Sequence, residues 1–213
     1  MQKSIPTHRP TNLPTNRRVP ASVTQPSTLS LPANLPPSLS ANPQWVTTRH
    51  PSPLGTVLIA ATDQGVAGLW FEGQKYAPDG SQWPSHPDHP LLRQATAMLD
   101  GYFDGHTARL WTEAMPLDLS AGTPFQQRVW RALLAIPLGQ VTTYGELSTA
   151  MGKPQSVRAV AAAIGKNPIS IVVPCHRVIG KDGSLVGYAG GLARKAHLLG
   201  LEKAPVQFDL PTI

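Results

Sequence analysis

A single cysteine, Cys175, stands against a histidine and an arginine in the run Ile171-Val-Val-Pro-Cys-His-Arg-Val-Ile179. A thiolate is a strong nucleophile, and a neighbouring base is what converts a thiol into one. The same residue type also fits an inert packing position, because free cysteine is among the most buried of side chains. The β-branched residues before Pro174 read as a buried strand that the proline ends, which sets Cys175 at an edge, held from below and reachable from above. One cysteine excludes an intramolecular disulfide and a multi-cysteine zinc cluster. His86, His89 and His106 fall in or near loops and read as solvated, so neither a metal nor a cofactor is expected.

The chain of 213 residues is 41% hydrophobic, enough for a packed core. No stretch approaches about 18 consecutive apolar residues and the N-terminus lacks the apolar core of a secretory signal, so a soluble, intracellular protein with no membrane role is expected. The formal charge of +6 is unevenly spread. Residues 1–44 carry Lys3, Arg9, Arg17 and Arg18 with no acid, residues 45–121 carry four basic against eight acidic residues, and residues 122–213 carry ten against four. The positive charge therefore lies with Cys175, and a polyanion, nucleic acid first, is the implied partner.

The elements that must position these residues follow from patterning. Residues 1–44 hold nine prolines among Ser, Thr, Asn and Gln without hydrophobic period, the composition of a disordered basic tail. Three strands follow, from Trp45, from Thr56 and from Val66, and then a helix from Pro90 to Phe103 with Leu91, Leu92, Ala95, Met98 and Leu99 at helical spacing. Residues 45–121 thus form a small α+β domain, closed by a linker from Leu117 to Thr123. Residues 122–213 read as a mostly helical domain. Thr123, Pro124 and Gln126 open one helix, and Thr143 and Glu146 open a second, short one. A third, beginning near Pro154 or Ser156 and ending at Gly165, follows a Gly152 turn, completing a helix-turn-helix pattern. Its surface is alanine-rich, including Ala159 and Ala163, with Arg158 near its start. Small side chains suit close approach to a groove better than base readout, which calls for Asn, Gln or several Arg. The Val186-Gly-Tyr-Ala-Gly-Gly loop and a last helix from Leu192 to about Leu201 complete the chain, with Glu202 at its end.

With Pro174-Cys-His-Arg-Val178, the helix pair before it and Gly187-Tyr-Ala-Gly-Gly191 after it, the chain resembles the O6-alkylguanine-DNA alkyltransferases over about residues 45 to 205, in their bacterial stand-alone form. The resemblance implies an N-terminal domain of ribonuclease-H-like topology and a C-terminal DNA-binding domain. It implies that Cys175 accepts the alkyl group, that His176 is its base through a water, and that Glu202 orients His176. Tyr144 would hydrogen-bond the departing guanine and Asn167 would be structural. Arg158 would take the place of a flipped-out nucleotide, and Val178, Ile179, Tyr188, Ala189 and Gly190 would line its pocket. The implied partner is double-stranded DNA carrying O6-alkylguanine, with O4-alkylthymine a further lesion, approached through the minor groove by a monomer. The implied place is the cytoplasm, on the nucleoid when DNA is bound. Transfer from oxygen to sulfur leaves a thioether, so each molecule would act once. Relatives that only flag lesions carry another residue, typically tryptophan, in the cysteine's place, and the intact Cys175 favours the enzyme. A helix-turn-helix regulator with a buried cysteine is the remaining alternative. His197, Leu201 and Lys203 depart from residues common in the family, and the four-cysteine zinc domain of the adaptive-response relatives has no counterpart.

Overall fold

The apolar runs after Trp45 fold as three antiparallel strands, β1 (Val46–His50), β2 (Val57–Thr62) and β3 (Gly65–Phe71), in the order β1-β2-β3. The computed structural model describes residues 45–106 and 115–205, so the tail expected over 1–44 lies outside the described residues. β2 and β3 are buried along their whole length because both faces are covered. One face contributes Val57, Ile59, Leu69 and Phe71 to a core shared with Leu92, Ala95 and Leu99 of helix α1 (Pro90–Phe103), whose apolar stripe has the expected spacing. The other face presents Leu58, Ala60 and Trp70 to Trp45 and Trp83, whose rings stack at 4.8 Å. Gly68 makes room for this roof, since a Cβ there would stand 1.9 Å from the Trp70 ring.

In the second half, helix α2 (Pro124–Leu134) starts at the expected capping box, with Gln126 N–H donating to the Thr123 hydroxyl and Thr123 N–H to Gln126 Oε1. It buries Val129, Trp130 and Leu133, and the Trp130 indole donates to the Ala163 carbonyl at 2.9 Å. The two-residue strand β4 (Thr142–Thr143) leads into α3 (Tyr144–Ala150), which has a second capping box between Thr143 and Glu146. A turn with Gly152 at φ 68° and a 3-10 turn over Pro154–Ser156 then deliver α4 (Val157–Gly165). This is the expected helix pair. The last helix, α5, covers Leu192–Leu201.

The free edge of β3 joins the two halves. Val66 N–H donates to the Pro116 carbonyl and Asp118 N–H to that of Val66, both at 2.9 Å, so the stretch expected as a linker begins as an edge pairing. Further along, Leu69 N–H donates to the Pro168 carbonyl and Ser170 N–H to that of Leu69, again at 2.9 Å. The core is continuous across residues 121 and 122, and the described residues fall in one compact unit.

The run before Pro174 is not the expected strand. Val172 N–H donates to the Ser170 carbonyl and Val173 N–H to that of Ile169, so Ile171–Val173 is a tight buried turn with Ile171 at φ 69°. That left-handed conformation is rare for a β-branched residue and persists only where its surroundings over-determine it. Apolar β-branched content recorded burial here, not extension.

Candidate active site

Cys175, His176 and Arg177 form a single 3-10 turn that runs into strand β5 (Val178–Ile179). β5 pairs in parallel with β4, Thr142 opposite Val178 and Thr143 opposite Ile179, which brings the start of α3 beside the thiol. The thiol is not on an open edge as expected, for Cys175 is only 4% exposed. Asn167 holds it: Nδ2 donates to Cys175 Sγ at 3.0 Å and to the Val173 carbonyl at 2.8 Å, while Oδ1 accepts from Ile169 N–H at 3.0 Å. Burial pushes the thiol above its ordinary pKa, against the pull of the Asn167 bond, the Lys195 charge and the backbone N–H groups of Cys175 and His176. The resting group is thus a protonated thiol in a setting prepared for its anion.

His176 is fully buried, and its Nε2 lies 2.9 Å from Glu202 Oε1. Burial alone would raise the pKa of Glu202, but its bonds to His176 and Arg177 bring it down to about 2. An ionised carboxylate only accepts, so the hydrogen is assigned to Nε2, and Nδ1 carries the lone pair of the neutral ring. Burial lowers the pKa of His176, with Glu202 pulling the other way, which favours that neutral form. Nδ1 is buried and hydrogen-bonds to no other group among the described residues.

Glu202 is held by more than His176. Arg177 Nε reaches Oε2 at 2.7 Å and its Nη2 reaches Oε1 at 2.9 Å, with Nη1 on the Ile136 carbonyl at 2.6 Å. Tyr102 of α1 donates to Oε1 at 2.9 Å. The backbone beyond α5 fixes the carboxylate's origin through a Schellman closure, Lys203 N–H donating to the Gly200 carbonyl and Ala204 N–H to that of Leu199, both at 3.0 Å. Lys203 takes the left-handed position at φ 54°.

Near the thiol, the Tyr144 hydroxyl donates to the carbonyls of Val186 and Gly187 at 3.2 and 3.1 Å. Burial and the nearby Cys175 raise its pKa. Lys195 is buried in the apolar stripe of α5, with Nζ on the Val178 and Val186 carbonyls at 2.6 Å. Burial lowers its pKa to about 8, opposed by Cys175. Tyr188 is held well above its ordinary pKa by burial and by Cys175. Val178, Ile179 and Gly190 are buried, Tyr188 and Ala189 partly so. The loop is tied to the N-terminal half by Lys75 N–H on the Ala189 carbonyl at 3.0 Å, and by Arg194 bridging the carbonyls of Gly190, Leu54 and Glu72.

The expected site residues Cys175, His176, Glu202, Asn167 and Tyr144 therefore converge. Arg158 and Ala159 lie on the exposed face of α4 with Ala162. Ala163, expected on that face, is only 3% exposed and packs inward, its carbonyl taken by Trp130, so it is no part of an outward surface. Sequence reasoning missed Arg177, Lys195 and Tyr102. For the first two a signal was present: a charge inside an apolar run or stripe calls for a buried partner. Of the three loop histidines, His86 and His106 are exposed as expected, whereas His89 is partly buried.

Residues 46–119 match the family described as 6-O-methylguanine DNA methyltransferase, ribonuclease-like domain, and residues 124–204 match 6-O-methylguanine DNA methyltransferase, DNA binding domain. The chain is similar to the methylated-DNA–protein-cysteine methyltransferase of Haemophilus influenzae, with 41% identity over 158 residues, 74% of this chain and 86% of that protein. With the Mycobacterium leprae protein of the same name it shares 45% identity over 159 residues, 75% of this chain and 93% of that protein. Among solved structures, Mycobacterium tuberculosis OGT in complex with DNA matches with a TM-score of 0.68 at 42% identity, over 75% of this chain and 95% of that chain.

Proposed function

The chain belongs to the 6-O-methylguanine DNA methyltransferase family, and on that premise we propose that it repairs DNA by direct reversal, moving the alkyl group of O6-alkylguanine onto Cys175. The observation that carries this reading is the buried Cys175 thiol held at 3.0 Å by Asn167, one residue from a neutral His176 whose Nε2 is engaged by Glu202 and whose Nδ1 is left to act as a base. An unassisted thiol with its ordinary pKa is about 3% thiolate at pH 7, and burial lowers that fraction, so attack has to be coupled to proton removal.

In the reaction, the Cys175 proton passes through a water to His176 Nδ1. Sγ bonds to the alkyl carbon as the carbon–O6 bond breaks. The guanine leaves with its electron pair, and the Tyr144 hydroxyl, released from Val186 and Gly187, meets the charge that develops there. The proton held by His176 then returns through water to the departed guanine, so the sum is thiol plus O6-alkylguanine giving thioether plus guanine. No group in the relay reverses a thioether, so each molecule acts once.

The target atom lies within a base stack, so the nucleotide must be flipped out at a cost of a few kcal/mol. Exposed Arg158 at the start of α4 fills its place, and the small face of Ala159 and Ala162 lets the helix approach a minor groove. Val178, Ile179, Tyr188, Ala189 and Gly190 line the pocket for the alkylated base, with O4-alkylthymine a second lesion of the same chemistry. A monomer is sufficient, since the relay is complete within one chain. The proposed DNA substrate places the protein in the cytoplasm, on the nucleoid when DNA is bound.

Incubation with duplex DNA carrying O6-methylguanine labelled in its methyl group tests the reading. We expect one label per protein, on the peptide containing Cys175, and none with Cys175→Ala. Label that stays in the DNA would reduce the protein to a lesion-binding module.

A further inference from the structure

Glu202 is gripped from three directions, and one grip comes from the half of the chain that supplies none of the proposed reacting groups. Tyr102, in the last turn of α1, donates its hydroxyl to Glu202 Oε1 at 2.9 Å, the oxygen that His176 and Arg177 also reach at 2.9 Å. Its ring is buried and meets Phe103 edge-on at 5.4 Å. A buried phenol needs a partner for its hydroxyl, and any free backbone carbonyl would satisfy that need. Here the partner, 100 residues away in sequence, is the one carboxylate on which the relay depends.

Resting on the relay proposed above, we infer that Tyr102 is a positioning residue for alkyl transfer: its hydrogen bond fixes Glu202 Oε1 against His176 and weakens the carboxylate's hold on an added imidazole proton. A carboxylate oxygen that shares its charge among three donors is a poorer acceptor for each. Without the phenol, more of that charge falls on His176, the imidazolium becomes more favourable, and the base is lost at a higher pH. The N-terminal half thereby sets the pH range in which the thiol can be activated.

The charged and titratable groups that also face the pair include Arg177 from the 3-10 turn, Lys195 from α5 and Tyr188 from the glycine loop. The Arg177 and Lys195 charges both oppose imidazolium formation. All of these remain in place when only the Tyr102 hydroxyl is removed.

The test is the single-turnover rate of methyl transfer from O6-methylguanine duplex, followed from roughly pH 5 to 9 for the full chain and for Tyr102→Phe. We expect the acid limb to move up by about half a unit, a rate roughly threefold lower on that limb, and a smaller loss above it. An unmoved midpoint with a uniform loss of rate would reduce Tyr102 to a packing residue and overturn the inference. Replacing Tyr102 by 3-fluorotyrosine, a stronger donor of nearly the same shape, gives the opposite sign: the limb should move down, and movement upward would overturn the inference. Titration of the His176 ring by 15N NMR reads the same midpoint without any transfer. If the wild-type protein transfers nothing, the alkyl-transfer reading fails, and the histidine titration alone still decides the role of Tyr102.

Discussion

Asn167 does at the scale of one side chain what the turn around Cys175 cannot do for itself. Pro168 and Pro174 remove two backbone donors, and Asn167 restores the balance by donating to Cys175 Sγ and the Val173 carbonyl while accepting from Ile169 N–H. Asn167→Ala leaves the buried Ile169 N–H unpaired and the Val173 carbonyl with Cys175 N–H as its remaining donor, and should cost about 1–3 kcal/mol of stability, read as a lower urea midpoint with an unchanged slope. The thiol should also become slower toward a small alkylating reagent, because the anion loses its nearest donor. Cys175, His176, Glu202, Asn167 and Tyr144 were legible because their order along the chain matches a known pattern. Tyr102, 100 residues from Glu202, was not: a tyrosine in a helix stripe reads as core, and nothing local says that its hydroxyl faces a carboxylate.

Among the elements, helices with capping residues began where expected, whereas the run before Pro174 did not form the strand that its composition and that proline suggested. Thr123 with Gln126 and Thr143 with Glu146 both form complete capping boxes, so α2 and α3 start where the residues say. Ile171–Val173 carries a strand's composition, yet hydrogen bonds two and four residues back make it a turn. The end of α5 shows what a departure from the family's common residues costs. The residue after Glu202 closes a Schellman motif at φ 54°, a conformation that glycine takes freely and lysine does not. The exposed Lys203 makes no contact that would compensate among those described. Lys203→Gly should therefore stabilise the protein by about 0.5–1 kcal/mol, seen as a rise in Tm, with Glu202 geometry and transfer unchanged. A fall in Tm would mean that the lysine stem packs more than the backbone conformation costs.

For the molecule as a whole, the shared edge of β3 and the grip of Tyr102 on Glu202 make the relay part of the core, so pH acts on fold and chemistry through the same groups. The unfolded chain protonates Glu202 near its ordinary 4.5, whereas the folded chain resists to about 2. Its contribution is therefore complete above about pH 4.5 and lost as pH falls toward 2, with about 2 kcal/mol gone by pH 3. His176, whose pKa folding lowers from 6.5, acts in the same direction: the unfolded chain takes its proton first, so stability declines as pH drops below the ordinary histidine range. Lys195 differs only in position. Folding lowers it from 10.5 to about 8, so the unfolded chain holds the extra proton between those values and stability rises with pH across them. Urea unfolding followed by far-UV circular dichroism and by tryptophan fluorescence should show one shared transition, because the β-sheet core and the helical core are continuous. Its midpoint should fall steeply between pH 5 and roughly pH 3. A flat midpoint over that interval would mean that Glu202 is not held as an anion, and the assignment of Nδ1 as the base of His176 would fall with it.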